Sequence, residues 1–231
     1  MTLLNISPFA ISRWGAFFNH FDLFFKGFLY TLGISFGALL LALILGILSG
    51  GLSTSKSKVG KLISRIYVEV FQNTPLLVQM VFVYYELAII SNGHVMISAF
   101  FTAVLCVGLY HGAYISEVIR SGIEAVPKGQ TEAALAQGFT ANQTMQLIIL
   151  PQAVRTILPP MTNQVVNLIK NTSTVAIISG ADIMFVAKAW AYDTTNYIPA
   201  FAGAAIFYFV ICFPLASWAR KQEELNKKTY S

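Results

Sequence analysis

The feature that most constrains this chain is an uncharged stretch of 29 residues, 27–55. A helix needs about 20 apolar residues to cross a bilayer, whereas the apolar part of a cleavable signal peptide has roughly 7–15. Charged residues make up only 11% of the chain, compared with about 25% in soluble domains. These values exclude an ordinary soluble domain and a disordered chain, and they predict an all-α membrane protein.

Apolar runs predict five transmembrane helices. The expected spans are residues 28–52, 75–91 and 95–116, a fourth that begins near Ile157 and is interrupted by Lys170, and 197–219 with Pro214 inside it. Residues 133–154 also lack formal charge. Polar side chains make this stretch unsuitable for lipid, and it is expected to form a loop with helices of its own: Gln137, Thr140, Asn142, Gln143, Thr144 and Gln146.

The basic residues orient these spans, because cytoplasmic loops of membrane proteins are enriched in Lys and Arg. Eleven of the fifteen lie on one side of the five-span arrangement: Lys56, Lys58, Lys61, Arg65, Arg120, Lys128, Arg155, Arg220, Lys221, Lys227 and Lys228. This predicts an outer N-terminus and a cytoplasmic C-terminus. The net charge of +5 is therefore attributed to membrane topology, and no nucleic-acid partner is expected.

Three regions are predicted along the chain: an N-terminal interfacial segment (1–22), a transmembrane domain (23–220) and a cytoplasmic tail (221–231). Aromatic residues recur at three- and four-residue steps before the first span: Trp14, Phe17, Phe18, Phe21, Phe25 and Phe28. This pattern suits a helix lying in the outer interface, and an early extension of the first span is the alternative. Glycine pairs Gly33/Gly37 and Gly46/Gly50 mark candidate seams of close helix packing.

No catalytic or metal-binding pattern stands out. The histidines are scattered, both cysteines lie in apolar spans, and no metalloprotease or serine-hydrolase motif occurs. Residues 50–57 approach a phosphate-binding loop, but they lack its second glycine and follow a membrane helix, where that motif requires a strand. The sequence therefore predicts neither an enzyme nor a metal site.

The loop between spans three and four, residues 126–151, carries the strongest local signals. Pro127 can open a helix, and Gly138 can end it as a C-cap glycine. Thr140 and Gln143 form a capping box that starts a second short helix. Pro151 and Pro159–Pro160 are expected to separate this loop from span four. The pattern predicts a compact cytoplasmic projection.

This loop matches the EAA signature of permease subunits of bacterial ABC importers. Glu132–Ala133–Ala134 is followed after three residues by Gly138, and after nine more by Ile148–x–Leu150–Pro151. The segments 71–79, 126–130, 150–155 and 163–173 resemble polar amino acid permeases in particular. The resemblance covers about residues 23–220, nearly the whole chain.

The resemblance implies that two such subunits, identical or similar, form a translocation pathway across the bacterial inner membrane by alternating access. Two cytoplasmic ATPase subunits would bind ATP and Mg²⁺, so this chain would hold no cofactor and would itself be no enzyme. An extracytoplasmic solute-binding protein would deliver the amino acid. Seven residues are thereby assigned to ATPase coupling: Glu132, Ala133, Ala134, Gly138, Ile148, Leu150 and Pro151.

Span four carries polar residues at three- and four-residue steps, including Asn163, Asn167 and Lys170. A lysine within a span is costly unless it faces a cavity or a partner. Three interpretations stay open: the stripe lines the pathway, it bonds neighbouring helices, or Lys170 reaches the outer interface. The candidate pathway residues are Asn163, Gln164, Asn167, Lys170 and Thr172, with Gln79 and Tyr85 on span two.

Two residues depart from the family pattern: Gln72 stands where Arg is frequent, and Asn171 stands where Asp is common. Because Glu69, Glu86 and Glu117 lie toward span ends, a neutral polar substrate such as glutamine is favoured over a cationic one. An ion-coupled transporter or channel without an ATPase is the alternative from another class. The same ABC architecture serving an opine or a sulfur-containing amino acid is a further one, and a membrane-embedded enzyme is a third.

Overall fold

The structure is a computed structural model that describes residue 7 and residues 9–230, including all side chains except those of 223 and 225–230. The remaining residues of the predicted N-terminal segment and tail lie outside the described residues. Over the described part the chain is helical and contains no β-strand. Its helices are α1 (Ile11–Asn19), α2 (Phe21–Thr54), α3 (Lys58–Gln72), α4 (Leu76–Ile90), α5 (Ala99–Glu124), α6 (Lys128–Ala136), α7 (Ala141–Ile178), α8 (Ile183–Thr194) and α9 (Tyr197–Tyr230).

Three of the described helices, α2, α5 and α9, are each long and apolar enough to cross a membrane. Two bent pairs pass the same test together: α3 with α4, bent by 95°, and α7 with α8, bent by 46°. If each pair forms one broken span, the described chain has five, which agrees with the predicted number. The predicted spans two, three and five coincide with α4, α5 and α9 with shifted ends.

The structure adds a helix after the first span. The basic residues Lys58, Lys61 and Arg65 were used only to orient the spans, and they lie in the 15-residue helix α3. The Ser57 side chain caps it by accepting a hydrogen bond from the Gly60 N–H at 3.1 Å. The charged residues Lys61 and Arg65 therefore lie on one face of a helix.

Contacts within the chain divide it into two units, each assembled from separate segments. One unit comprises the described residues up to Ala38 together with Leu76–Val107 and Leu168–Phe213. Its core packs Phe17 of α1 and Phe24 of α2 against Trp190 of α8, with ring centroids 6.3 and 5.5 Å from the Trp190 ring. The aromatic series of the sequence is thus shared by two helices, since α1 ends at Asn19 and α2 begins at Phe21.

The other unit comprises Leu39–Pro75, Gly108–Asn167 and the described residues from Pro214 onward. In this unit Gly50 of α2 packs on α5, where an added Cβ would lie 2.8 Å from Ile119 Cγ2. Gly46, one turn earlier, packs on Ile115 in the same way. The predicted seam at this glycine pair is confirmed. Three buried serines hold the same region together, because Ser49 Oγ lies 2.9 Å from both Ser64 Oγ and Ser116 Oγ.

Candidate coupling and translocation sites

The helix that carries the Glu-Ala-Ala sequence, α6, ends in a Schellman motif. The N–H of Gly138 donates to the Leu135 carbonyl oxygen at 3.0 Å, and the N–H of Phe139 donates to that of Ala134 at 3.1 Å. Gly138 has a φ of +88°, in the left-handed region that glycine adopts without steric cost. The predicted C-cap glycine is confirmed, whereas Pro127 precedes the first residue of α6 rather than forming it.

The capping box at the start of α7 is also confirmed. The Gln143 N–H donates to Thr140 Oγ1 at 3.3 Å, and the Thr140 N–H donates to Gln143 Oε1 at 2.9 Å. Each side chain satisfies a backbone donor that has no partner within the helix. The chain direction between α6 and α7 is therefore set by two local motifs only a few residues apart.

The predicted break at Pro151 is wrong, because α7 continues through Pro151 and through Pro159–Pro160. A proline has no N–H to donate inside a helix. Residues Thr144–Ile149 form a π turn just before Pro151, and such a turn shifts the hydrogen-bond register by one residue. The Gln152 side-chain amide donates to the Ile148 carbonyl oxygen at 2.8 Å, and Thr162 Oγ1 donates to that of Leu158 at 3.0 Å. Side chains thus supply donors along the proline-containing stretch.

The seven coupling residues differ in exposure. Glu132, Ala133 and Gly138 are exposed, whereas Ala134 is buried on the opposite side of α6, which packs against the π turn of α7. Ile148 is half-buried in that π turn. Leu150 and Pro151 are exposed on α7. The outer surface of the projection therefore presents Glu132 and Ala133.

Candidate pathway residues of α7 form an exposed stripe. Asn163, Asn167 and Lys170 follow one another at four- and three-residue steps on one helix face, and all three are exposed. Gln164 lies beside this face, is half-buried, and has its Oε1 3.3 Å from Nδ1 of the buried His111. In the other unit, Lys170 borders a cavity of about 290 Å³ with Phe201 and Tyr208 of α9.

Two of the three remaining pathway candidates, Thr172 and Gln79, are less accessible. Thr172 is fully buried, and its Oγ1 donates to the Ile169 carbonyl oxygen at 2.8 Å. Gln79 is half-buried on α4, and Tyr85 is exposed in the π turn Phe82–Glu86. Thr172 is therefore turned into the protein in this conformation and does not share the exposed stripe.

Sequence patterns did not single out Asp182, which is fully buried at the start of α8. Its carboxylate accepts hydrogen bonds from the N–H groups of Phe185 at 2.9 Å and Met184 at 3.2 Å, and from the Tyr208 hydroxyl at 3.2 Å. Thr31 of α2 accepts a hydrogen bond from the Ile183 N–H at 3.1 Å. Aspartate before a helix is an N-cap signal that could have predicted the first two bonds, but the partners on α2 and α9 are distant in sequence.

Helix α3 has two contrasting exposed faces. One is an apolar stripe formed by Val59, Leu62, Ile63, Ile66 and Val70. The other carries Lys61, Arg65 and Glu69, and Arg65 Nε lies 2.7 Å from Glu69 Oε1. This polar face borders a cavity of about 350 Å³ with Glu117 and Arg120 of α5. Charged groups at a membrane helix face water or a partner rather than lipid.

The sequence matches, over residues 42–224, the family described as "Binding-protein-dependent transport system inner membrane component". The chain belongs to this family. This permease component is therefore a multi-pass protein of the inner membrane and a subunit of a transport system. That conclusion agrees with the family resemblance of its EAA loop.

Curated relatives are similar over almost their whole length. The permease component is 34% identical over 213 residues to the probable glutamine ABC transporter permease protein GlnM of Bacillus subtilis strain 168, covering 92% of this chain and 97% of that one. It is 36% identical over 187 residues to the putative glutamine transport system permease protein GlnP of Rickettsia felis, covering 80% and 85%.

Solved structures agree with the described fold. An amino acid ABC transporter crystallised with histidines has a TM-score of 0.84 and 31% identity, covering 91% of this permease component and 97% of that chain. An inward-facing structure of the MetNI methionine ABC transporter has a TM-score of 0.69 over 88% of this chain and 98% of that one. At 16% identity, the second likeness concerns the fold alone.

Proposed function

We propose that this permease component translocates polar amino acids in an ATP-driven importer, with glutamine or a similar neutral polar amino acid as its favoured substrate. The observation that carries the proposal is the exposed projection formed by α6 and closed at Gly138. The names of the relatives, which are glutamine or amino acid permeases, support the substrate class.

The projection suits insertion into a cleft of an ATPase subunit. Its exposed positions hold the small Ala133 and the carboxylate of Glu132, while Ala134 anchors the helix from the buried side. ATP and Mg²⁺ are bound by the ATPase, and closure of two ATPases moves α6. Such a movement of one packed element between two states is a common form of conformational switching.

In this proposal α6 lies on the cytoplasmic side of the membrane. The basic side chains of α3 and the basic residues near α6 lie on the same side, in accord with the positive-inside rule. The N-terminus is then outside, where α1 exposes Ile11 and Phe18 to the outer face of the inner membrane. Arg13 of α1 donates to the Thr195 carbonyl oxygen at 2.8 Å, which fixes α1 to the chain before α9.

The exposed stripe of Asn163, Asn167 and Lys170 lines the pathway, and a second permease subunit, identical or similar, completes it. Among the described residues, the Asn163 and Asn167 side chains make no hydrogen bond within the chain, so their amides remain available to a solute. The two-faced helix α3 supports an aqueous route on the side of Arg65 and Glu69, because the opposite side with Ile66 suits lipid.

The test is reconstitution in proteoliposomes with the ATPase and the solute-binding protein, followed by ATP hydrolysis with each of a panel of amino acids. We expect glutamine or another neutral polar amino acid to stimulate ATP hydrolysis and to accumulate on the side of the membrane that carries the ATPase. Uptake that proceeds without the ATPase would instead favour an ion-coupled transporter. If only a solute other than an amino acid stimulated ATP hydrolysis, the coupling assignment would stand, but amino acids would be excluded as the substrate.

A further inference from the structure

Three charged residues of α5 form a cluster that carries a net negative charge. Arg120 Nη2 lies 2.7 Å from Glu117 Oε2, and Arg120 Nη1 lies 2.6 Å from Glu124 Oε2. Because one guanidinium compensates one carboxylate, the second carboxylate leaves one negative charge. The Glu117 side chain is the more enclosed of the two, at 34% exposure against 57% for Glu124.

A cavity of about 420 Å³ opens beside Glu117 within the same unit. Its polar lining includes the amides of Gln72 and Gln164 and the hydroxyls of Tyr114 and Thr156. Among the described residues that line it, Glu117 alone carries a charge, since Arg120 and Glu124 do not border it. A ligand in this cavity therefore meets one carboxylate, which is also paired with Arg120, among neutral polar groups.

Glu117 keeps hydrogen-bonding capacity toward the cavity. A carboxylate offers about four acceptor positions, and Arg120 makes three contacts with it: Nε to Oε1 at 3.0 Å, Nε to Oε2 at 3.1 Å and Nη2 to Oε2 at 2.7 Å. Two of these contacts share one N–H, so Oε1 in particular can accept a further donor. An ammonium group has three donors and the complementary charge.

We propose that this cavity binds a solute through its ammonium group, with Glu117 as the residue that recognises that group. The inference rests on the proposed function and deepens it, because it assigns the α-ammonium of an amino acid to a named carboxylate. The amides of Gln72 and Gln164 then face the rest of the solute. The Gln72 Nε2 also donates to the Ala113 carbonyl oxygen at 3.2 Å, which holds this amide at the cavity wall.

The test measures binding of radiolabelled L-glutamine to the purified complex of permease and ATPase without nucleotide. Glu117→Gln is compared with Glu124→Gln, a matched control that also removes one carboxylate from Arg120 but lies outside the cavity. We expect Glu117→Gln to weaken binding about tenfold or more, the loss typical of one charge-assisted hydrogen bond. Glu124→Gln should change it less than about twofold, and Glu117→Asp, which retains the charge, should retain part of the affinity.

N-acetyl-L-glutamine, which has no ammonium group, should fail to compete with L-glutamine on the unaltered complex. The proposal is overturned if Glu117→Gln binds L-glutamine normally, or if Glu117→Gln and Glu124→Gln lose affinity equally. It is also overturned if the acetylated analogue competes, or if the unaltered complex binds no L-glutamine. A failure of the proposed function would appear elsewhere, as uptake that continues without the ATPase, because this binding assay contains no nucleotide.

Discussion

The N–H of Phe139 donates to the carbonyl oxygen of Ala134 at 3.1 Å, and Gly138 lies between them with a φ of +88°. The bond closes α6 only because the chain can adopt a left-handed conformation at this residue. Apart from its two chain neighbours, no heavy atom of the described residues lies within 4 Å of the position that a Cβ on Gly138 would occupy. The constraint on this position is therefore set by the backbone and not by the available space.

Gly138→Val is expected to abolish ATP-driven uptake, because a β-branched residue is a genuine outlier at positive φ. Gly138→Asn should retain a substantial part of uptake, since Asn enters this conformation far more readily. Uptake is measured in cells together with the amount of each variant in the membrane. Equal activity of the two variants at equal membrane levels would show that the left-handed turn is not required.

Gly50→Ala is expected to destabilise the protein by about 1–3 kcal/mol, the usual cost of overpacking. The added Cβ would lie 2.8 and 2.9 Å from Ile119 Cγ2 and Cβ. Gly51→Ala is the matched control in the same helix, because its Cβ meets nothing within 4 Å. That change should be neutral or stabilising, since alanine favours a helix over glycine. Thermal unfolding in detergent compares the two, and equal midpoints would exclude a close packing seam at Gly50.

Asp182→Ala is expected to lower the stability of the protein by about 1–2 kcal/mol, because it removes the N-cap of α8. It also leaves the Tyr208 hydroxyl without the acceptor that now lies at 3.2 Å. Asp182→Asn should retain most of the stability, since Asn is an equally good N-cap. The measurement is thermal unfolding of the purified variants. An alanine variant as stable as the unaltered protein would show that this buried carboxylate does not anchor α8.

Asn163→Ala and Asn167→Ala are expected to change which amino acids compete for uptake while assembly with the ATPase persists. Both amides are exposed on the stripe that includes Lys170, so their loss alters what a passing solute meets. Leu158→Ala, on another face of the same helix, serves as the control. Competition assays with a panel of unlabelled amino acids provide the measurement. An unchanged competition profile in both Asn variants would favour the interpretation that the stripe bonds neighbouring helices.

The features that could be predicted depend on local signals. The long uncharged runs correspond to α2, α5 and α9, and the spacing of Thr140, Gln143 and Gly138 is sufficient to specify two capping motifs because their partners lie within a few residues. The glycine pair Gly46/Gly50 also predicted the close packing of α2 on α5. In each case the physical requirement, whether bilayer thickness, an unpaired N–H or a positive φ, is set by neighbouring residues.

The features that were missed depend on context that short patterns do not contain. Helix α3 was not predicted, because Lys61 and Arg65 were used only to orient the spans, whereas they also form one face of a helix. Pro151 was treated as a break, although the preceding π turn and the Gln152 amide accommodate it. Asp182 gained the Tyr208 hydroxyl, and the neighbouring Ile183 N–H gained Thr31, only through tertiary folding.

The π turn Thr144–Ile149 also has a consequence for the spacing of the EAA signature. An α-helix advances by about 100° per residue, and a π turn is an α-helix with one residue inserted. Deleting one residue there would convert the π turn into an ordinary α-helical turn, so that later side chains such as Asn163 would keep nearly their present direction. The nine residues between Gly138 and Ile148 therefore lead into a turn that has absorbed one extra residue, and the loss of a second residue from that turn would rotate the later side chains by about 100°.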